Sequence, residues 1–112
     1  MRQDLLDEVS ELTSFIQPSG NWSETRQLVR DGGFDPDLIL LISFMEGEEG
    51  QEWGVVATQD QSIFQWERNT YEDPSSVKWQ ELTGEPDLLR RVPQVEVVSE
   101  ALRLREPKGT SS

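Results

Sequence analysis

Between Asp31 and Glu67 the chain carries nine carboxylates and no lysine or arginine. The same stretch holds the longest apolar run, Leu38-Ile39-Leu40-Leu41-Ile42, and two of the four tryptophans. One segment therefore supplies both the core and most of the charge imbalance. A chain built around it is expected to be a folded domain with a strongly negative region on its surface.

Residues 37–68 read as a three-stranded antiparallel meander. With Gly47-Glu48-Glu49-Gly50 as a four-residue hairpin loop, Phe44 faces Trp53, Ile42 faces Val55 and Leu40 faces Ala57. With Asp60-Gln61 as a two-residue loop, Ala57 faces Phe64, Val55 faces Trp66 and Trp53 faces Arg68. Leu40, Ile42, Phe44, Trp53, Val55, Ala57, Phe64 and Trp66 then share one face, and a one-residue slip in either hairpin would scatter them. In this register Arg68 is placed for a cation–π contact with Trp53. A helix over the first part stays open as an alternative. Asp35-Pro36-Asp37 makes a good helix start, and Leu38, Leu41, Ile42 and Met45 share a helical face.

The flanks read more simply. Leu5, Val9, Leu12 and Ile16 recur at spacings of four, three and four, which predicts an amphipathic helix opened by Asp4 and closed by Pro18-Ser19-Gly20. Residues 21–31 fit a short helix, given the capping-box spacing of Asn21-Trp22-Ser23-Glu24, or an edge strand. Asn69 to Ser76 is polar and predicts a loop, and Val77 to Leu82 predicts a fourth strand. Gly84-Glu85-Pro86-Asp87 opens a short helix through Arg91. Pro93 opens a last helix to about Arg105, with Val95, Val98 and Leu102 as its stripe. The expected fold is a single α+β domain over 1–105. An antiparallel meander sheet of three to five strands packs against N-terminal and C-terminal helices, mainly on the aromatic face, and 106–112 form a flexible tail.

Composition narrows the chemistry. Cysteine and histidine are both absent from the 112 residues. That excludes disulfides, thiol nucleophiles, thiolate and imidazole metal sites and a Ser-His-Asp triad. Met1-Arg2-Gln3-Asp4 leads directly into an acid-rich segment unlike a secretory signal, and a cytoplasmic location is expected. The longest apolar run is far short of the roughly twenty residues that span a bilayer. Twenty-two acids against ten bases give a net charge of −12. Such a charge repels nucleic acid and anionic membrane and attracts cationic partners.

The densest acidic cluster is Glu46, Glu48, Glu49 and Glu52. It reads as a solvated hairpin tip or as a contact for a basic protein; its spacing matches no calcium loop. Asp31, Asp35 and Asp37 around Gly32-Gly33 are accounted for mainly by capping and turn chemistry. Trp22, Tyr71 and Trp79 lie outside the expected aromatic layer and would suit a protein interface if exposed together. No catalytic residue, metal or cofactor is expected. The functional expectation is a small non-enzymatic protein that binds another protein. A narrower alternative is an acidic inhibitor or immunity-type protein filling the basic cleft of a nucleic-acid-acting protein. A third is a carboxylate-dependent hydrolase, which would need carboxylates converging in a cleft.

Overall fold

The computed structural model describes residues 2–105, apart from the side chains at positions 2, 74, 75 and 105. The expected tail at 106–112 lies outside the described residues. The first helix, α1 (Arg2–Phe15), is followed by α2 (Ser23–Asp31). Four strands come next: β1 (Leu40–Glu46), β2 (Gln51–Ala57), β3 (Ile63–Asn69) and β4 (Asp73–Glu81). The described residues close with α3 (Leu88–Arg91), a 3₁₀ turn at Pro93–Val97, and α4 (Val98–Arg105). The strands form an antiparallel meander in the order β1-β2-β3-β4. Helices from both ends of the chain pack on it, so the α+β architecture expected from the pattern is the one observed.

Two ambiguous segments resolve. Residues 21–31 contain the helix α2, whose buried residues Thr25, Leu28 and Val29 share one face. Residues 40–46 are strand and not helix. The polar stretch 69–76, expected as a loop, is mostly strand: β3 runs to Asn69 and β4 starts at Asp73.

The register differs from the one expected, and the loops are the reason. Both hairpins close on three residues. The Gly47 N–H donates to Gln51 C=O (2.8 Å), leaving Glu48-Glu49-Gly50 as the first loop. The Thr58 N–H donates to Ser62 C=O (2.9 Å), leaving Gln59-Asp60-Gln61 as the second. In that second loop Gln61 takes the left-handed conformation (φ 68°) and its N–H returns to Thr58 C=O. This is the usual geometry of a type I turn followed by an αL residue. Phe44 therefore pairs with Gly54, Trp66 with Gly54 from the other side, and Val56 with Phe64. A bulge between Leu41 and Ser43 restores the expected pairing of Leu40 with Ala57.

A one-residue change reverses a strand's faces, so the expected single apolar layer divides in two. Leu40, Ile42, Val55, Ala57 and Ile63 stay on one face, packed by Leu6 and Val9 of α1 and by Val97, Val98 and Ala101 near α4. Phe44, Phe64 and Trp66 move to the other face with Leu41 and Val56, under Leu28 and Val29 of α2. Trp53 alternates with Val55 and so faces away from Trp66, against the expectation that the two would share a layer. The sheet is covered on both sides.

Helix α1 also closes the β1 edge. The Thr13 hydroxyl, buried in the helix stripe, accepts the Leu41 N–H (2.9 Å) and donates to Leu41 C=O (3.4 Å). It satisfies backbone groups at the bulge that no neighbouring strand reaches. Trp66 is fully buried and lies flat over Gly54, where an added Cβ would come within 2.1 Å of the ring. Glycine is required there because the indole occupies the side-chain position of the facing residue.

Candidate functional site

In a meander, the first and third connections lie at the same end of the sheet. The loop Glu48–Gly50 and the turn between β3 and β4 therefore meet. The Thr70 N–H and hydroxyl both donate to Gly50 C=O, at 2.8 and 2.9 Å. Gly50 lies so close to Tyr71 that a Cβ would stand 2.6 Å from its Cγ. The Asn69 side chain braces the turn by accepting the N–H groups of Tyr71 (2.9 Å) and Glu72 (3.1 Å). This end gathers Glu46, Glu48 and Glu49 with Glu72 and Asp73, all exposed. Tyr71 (79 % exposed) and Met45 (60 %) supply apolar area among them. Glu72 and Asp73 carry no local signal that would join them to the first loop. Only the connection rule of a meander does so.

Glu52 does not belong to this surface. Expected beside Glu46, Glu48 and Glu49, it is buried (5 % exposed) on the α2 face. Its Oε2 accepts the Arg68 Nε (2.7 Å) and the Trp66 indole N–H (3.0 Å), and its Oε1 accepts Arg68 Nη2 (3.2 Å). Glu24, at the start of α2, reaches Arg68 Nη2 at 3.1 Å from the solvent side. Arg68 thus faces Glu52 across the strands, and Trp53 faces Glu67, which removes the expected cation–π pairing of Arg68 with Trp53. Burial pulls the Arg68 guanidinium down, but hydrogen bonds and charge from Glu52, and then Glu24, outweigh it and hold the group above its ordinary value. The cluster ties α2, β2 and β3 together without an unsatisfied buried polar side chain among the described residues.

Trp22 and Trp79 are not brought to Tyr71 either. They belong to a continuous aromatic chain on the α2 face, and both are half-buried. Trp22 lies 4.8 Å from Phe15 and from Phe44, Phe44 lies 6.2 Å from Trp66, and Trp66 lies 5.7 Å from Trp79. Phe34 closes the series between Trp79 and Phe64, at 4.8 and 5.1 Å. Beside Trp79 a groove of about 450 Å³ opens between α2 and the β3–β4 pair.

Four further carboxylates have local roles. Asp37 pairs with Arg26 at 2.8 Å, and that hydrogen bond raises the arginine above its ordinary value. Asp35 accepts the Asp37 N–H, and Asp31 accepts the Gln27 side-chain amide. Asp60, at the opposite end of the sheet, is held below the ordinary carboxylate range by the Thr58 hydroxyl and then by the Ser62 N–H. Among the described residues no group of three or more acids is placed to hold a metal ion, and no helix is long and apolar enough to cross a membrane.

No protein-family model, no curated protein and no solved structure matches the chain. What the fold defines is a class: an α+β protein with a meander sheet covered on both faces and a carboxylate-rich end carrying exposed apolar side chains.

Proposed function

We propose that this chain is a small cytoplasmic, non-enzymatic protein that works by binding another protein, and that the sheet end around Glu46, Glu48, Glu49, Tyr71 and Glu72 receives a basic partner. The supporting observation is the convergence there of carboxylates from two separate connections beside exposed Tyr71 and Met45. The buried cation Arg68 engages Glu52 and Glu24. Carboxylates with exposed Tyr71 and Met45 at the same end of the sheet suit an interface in which charge steers the encounter and apolar contact holds it. The narrower reading, an inhibitor that presents carboxylates in place of phosphates, draws on the same end. It differs in requiring a steeper loss of affinity with salt.

The test is capture from the host lysate at low salt, using the wild-type chain and a Glu48→Lys/Glu49→Lys variant as baits. A partner retained by the first and lost by the second is expected, with association several-fold slower for the variant in stopped-flow mixing. Equal recovery by both baits, or an association rate indifferent to ionic strength, would return the acidity to solubility alone.

A further inference from the structure

Strand β4 is the last strand of the sheet, and among the described residues no other strand pairs with its outer edge. The opposite edge is closed by α1 through Thr13, so the two edges are treated differently. The bond from Leu82 N–H to Ile63 C=O (2.7 Å) fixes which groups of β4 point inward. By antiparallel alternation Gln80 and Lys78 pair with β3, whereas Val77, Trp79 and Glu81 direct N–H and C=O outward. Only this half is regular. The register slips between Glu67 and Asn69, and Pro74 has no N–H to pair.

Two of the outward residues, Val77 and Trp79, also line the groove beneath α2. Val77 and Trp79 meet Leu28 there, and Glu24 and Asp31 stand on the helix above them. Arg68 at the inner end is paired, so the unneutralised charge of the groove is negative. Glu24 gives Arg68 only Oε1, and Asp31 gives Gln27 only Oδ1. Each keeps a second oxygen for a further donor. An edge with no neighbouring strand, an aromatic floor and the two carboxylates Glu24 and Asp31 together match the requirements for strand addition. The main chain provides the pairing, and the groove selects alternate side chains.

We propose that the Val77–Glu81 edge takes up an extended basic segment of a partner protein as a fifth strand. An apolar side chain of that segment lies on Trp79, and flanking lysine or arginine side chains reach Glu24 and Asp31. A second copy of this chain is a poor occupant, because each copy carries a net charge of −12 and like charges repel. The inference rests on the reading of the chain as a protein-binding module but places this contact away from the acidic sheet end.

The probe is a capped seven-residue peptide with a central valine, a lysine two residues to either side and threonine elsewhere, so that the valine and both lysines share one face; it is added to the isotope-labelled full chain. Amide exchange is read at Trp79 and Glu81. Slowed exchange at those two amides is expected, together with affinity weakened about tenfold or more when alternate peptide amides are N-methylated. Asp31→Lys should weaken binding, and Glu48→Lys/Glu49→Lys should leave it unchanged. Equal binding of the N-methylated peptide would overturn strand addition. So would protection confined to Glu48–Gly50 and lost in the Glu48→Lys/Glu49→Lys variant, a result that leaves the proposed function standing. No binding by any peptide also overturns it, as does protection of Trp79 and Glu81 without peptide that grows with protein concentration, which would assign the edge to a second copy.

Discussion

The buried pair of Glu52 and Arg68 allows a quantitative test of what joins the two halves of the α2 face. Replacing Glu52 by Gln keeps the shape and an acceptor for the Trp66 indole but removes the charge. Arg68, 8 % exposed, would then be a buried cation that has lost its buried counter-ion and keeps Glu24 at 3.1 Å on the solvent side. Breaking a buried pair by removing one partner costs about 3–5 kcal/mol. Two things reduce that figure: the retained amide oxygen still accepts one hydrogen bond, and Glu24 still supplies a screened charge. A loss of about 2–3 kcal/mol is expected, lowering Tm by roughly 8–12 °C for a chain of this size. Arg68→Met strands the carboxylate instead and should cost about 3–5 kcal/mol. The double variant Glu52→Gln/Arg68→Met removes both charges yet keeps the Trp66 acceptor, so it should recover at least about 2 kcal/mol relative to the Arg68→Met variant. Urea denaturation followed by tryptophan fluorescence is the assay, since urea does not screen charge as guanidinium does. A Glu52→Gln loss below about 1 kcal/mol, or a double variant no more stable than Arg68→Met, would refute the buried-pair account.

Two further outcomes follow from the geometry. Gly54→Ala should destabilise by about 1–3 kcal/mol, because its Cβ would meet the rigid ring of Trp66 at 2.1 Å; a urea midpoint matching wild type would mean that the indole does not cover this position. Asp60 titrates below the ordinary aspartate range in the folded chain, so its contribution to stability is present above that range and fades as pH falls through the lowered value. Thr58→Val removes the leading cause, and the Asp60 midpoint followed by NMR should move up toward the ordinary aspartate value; an unmoved midpoint would contradict the Thr58 hydrogen bond.

The sequence by itself determined the first helix, the turn near Gly47–Gly50 and the break at Pro93, because periodicity and turn chemistry act within a few residues; it left 21–31 and 37–46 open between helix and strand and read 69–76 as a loop. It also determined that Glu46, Glu48 and Glu49 would share one solvated tip. The tertiary structure decided which way each strand faces. Each hairpin loop closed on three residues and a bulge fell at Ile42, so Phe44, Phe64 and Trp66 turned away from Trp53. Part of this was legible, since Asp60-Gln61 lacks the glycine or asparagine that a two-residue hairpin turn prefers at its second position. The fate of Glu52 was not. From the sequence it is one more acid in a run of acids, and only the facing of Arg68 and Trp66 across the strands makes it a buried counter-ion. The gathering of Glu72 and Asp73 beside Glu48 likewise depends on two connections folding to the same end, a relation between residues more than twenty positions apart. Local spacing sets the elements because its interactions are local. Faces, partners and charge clusters depend on register, which a single residue in a loop can reverse.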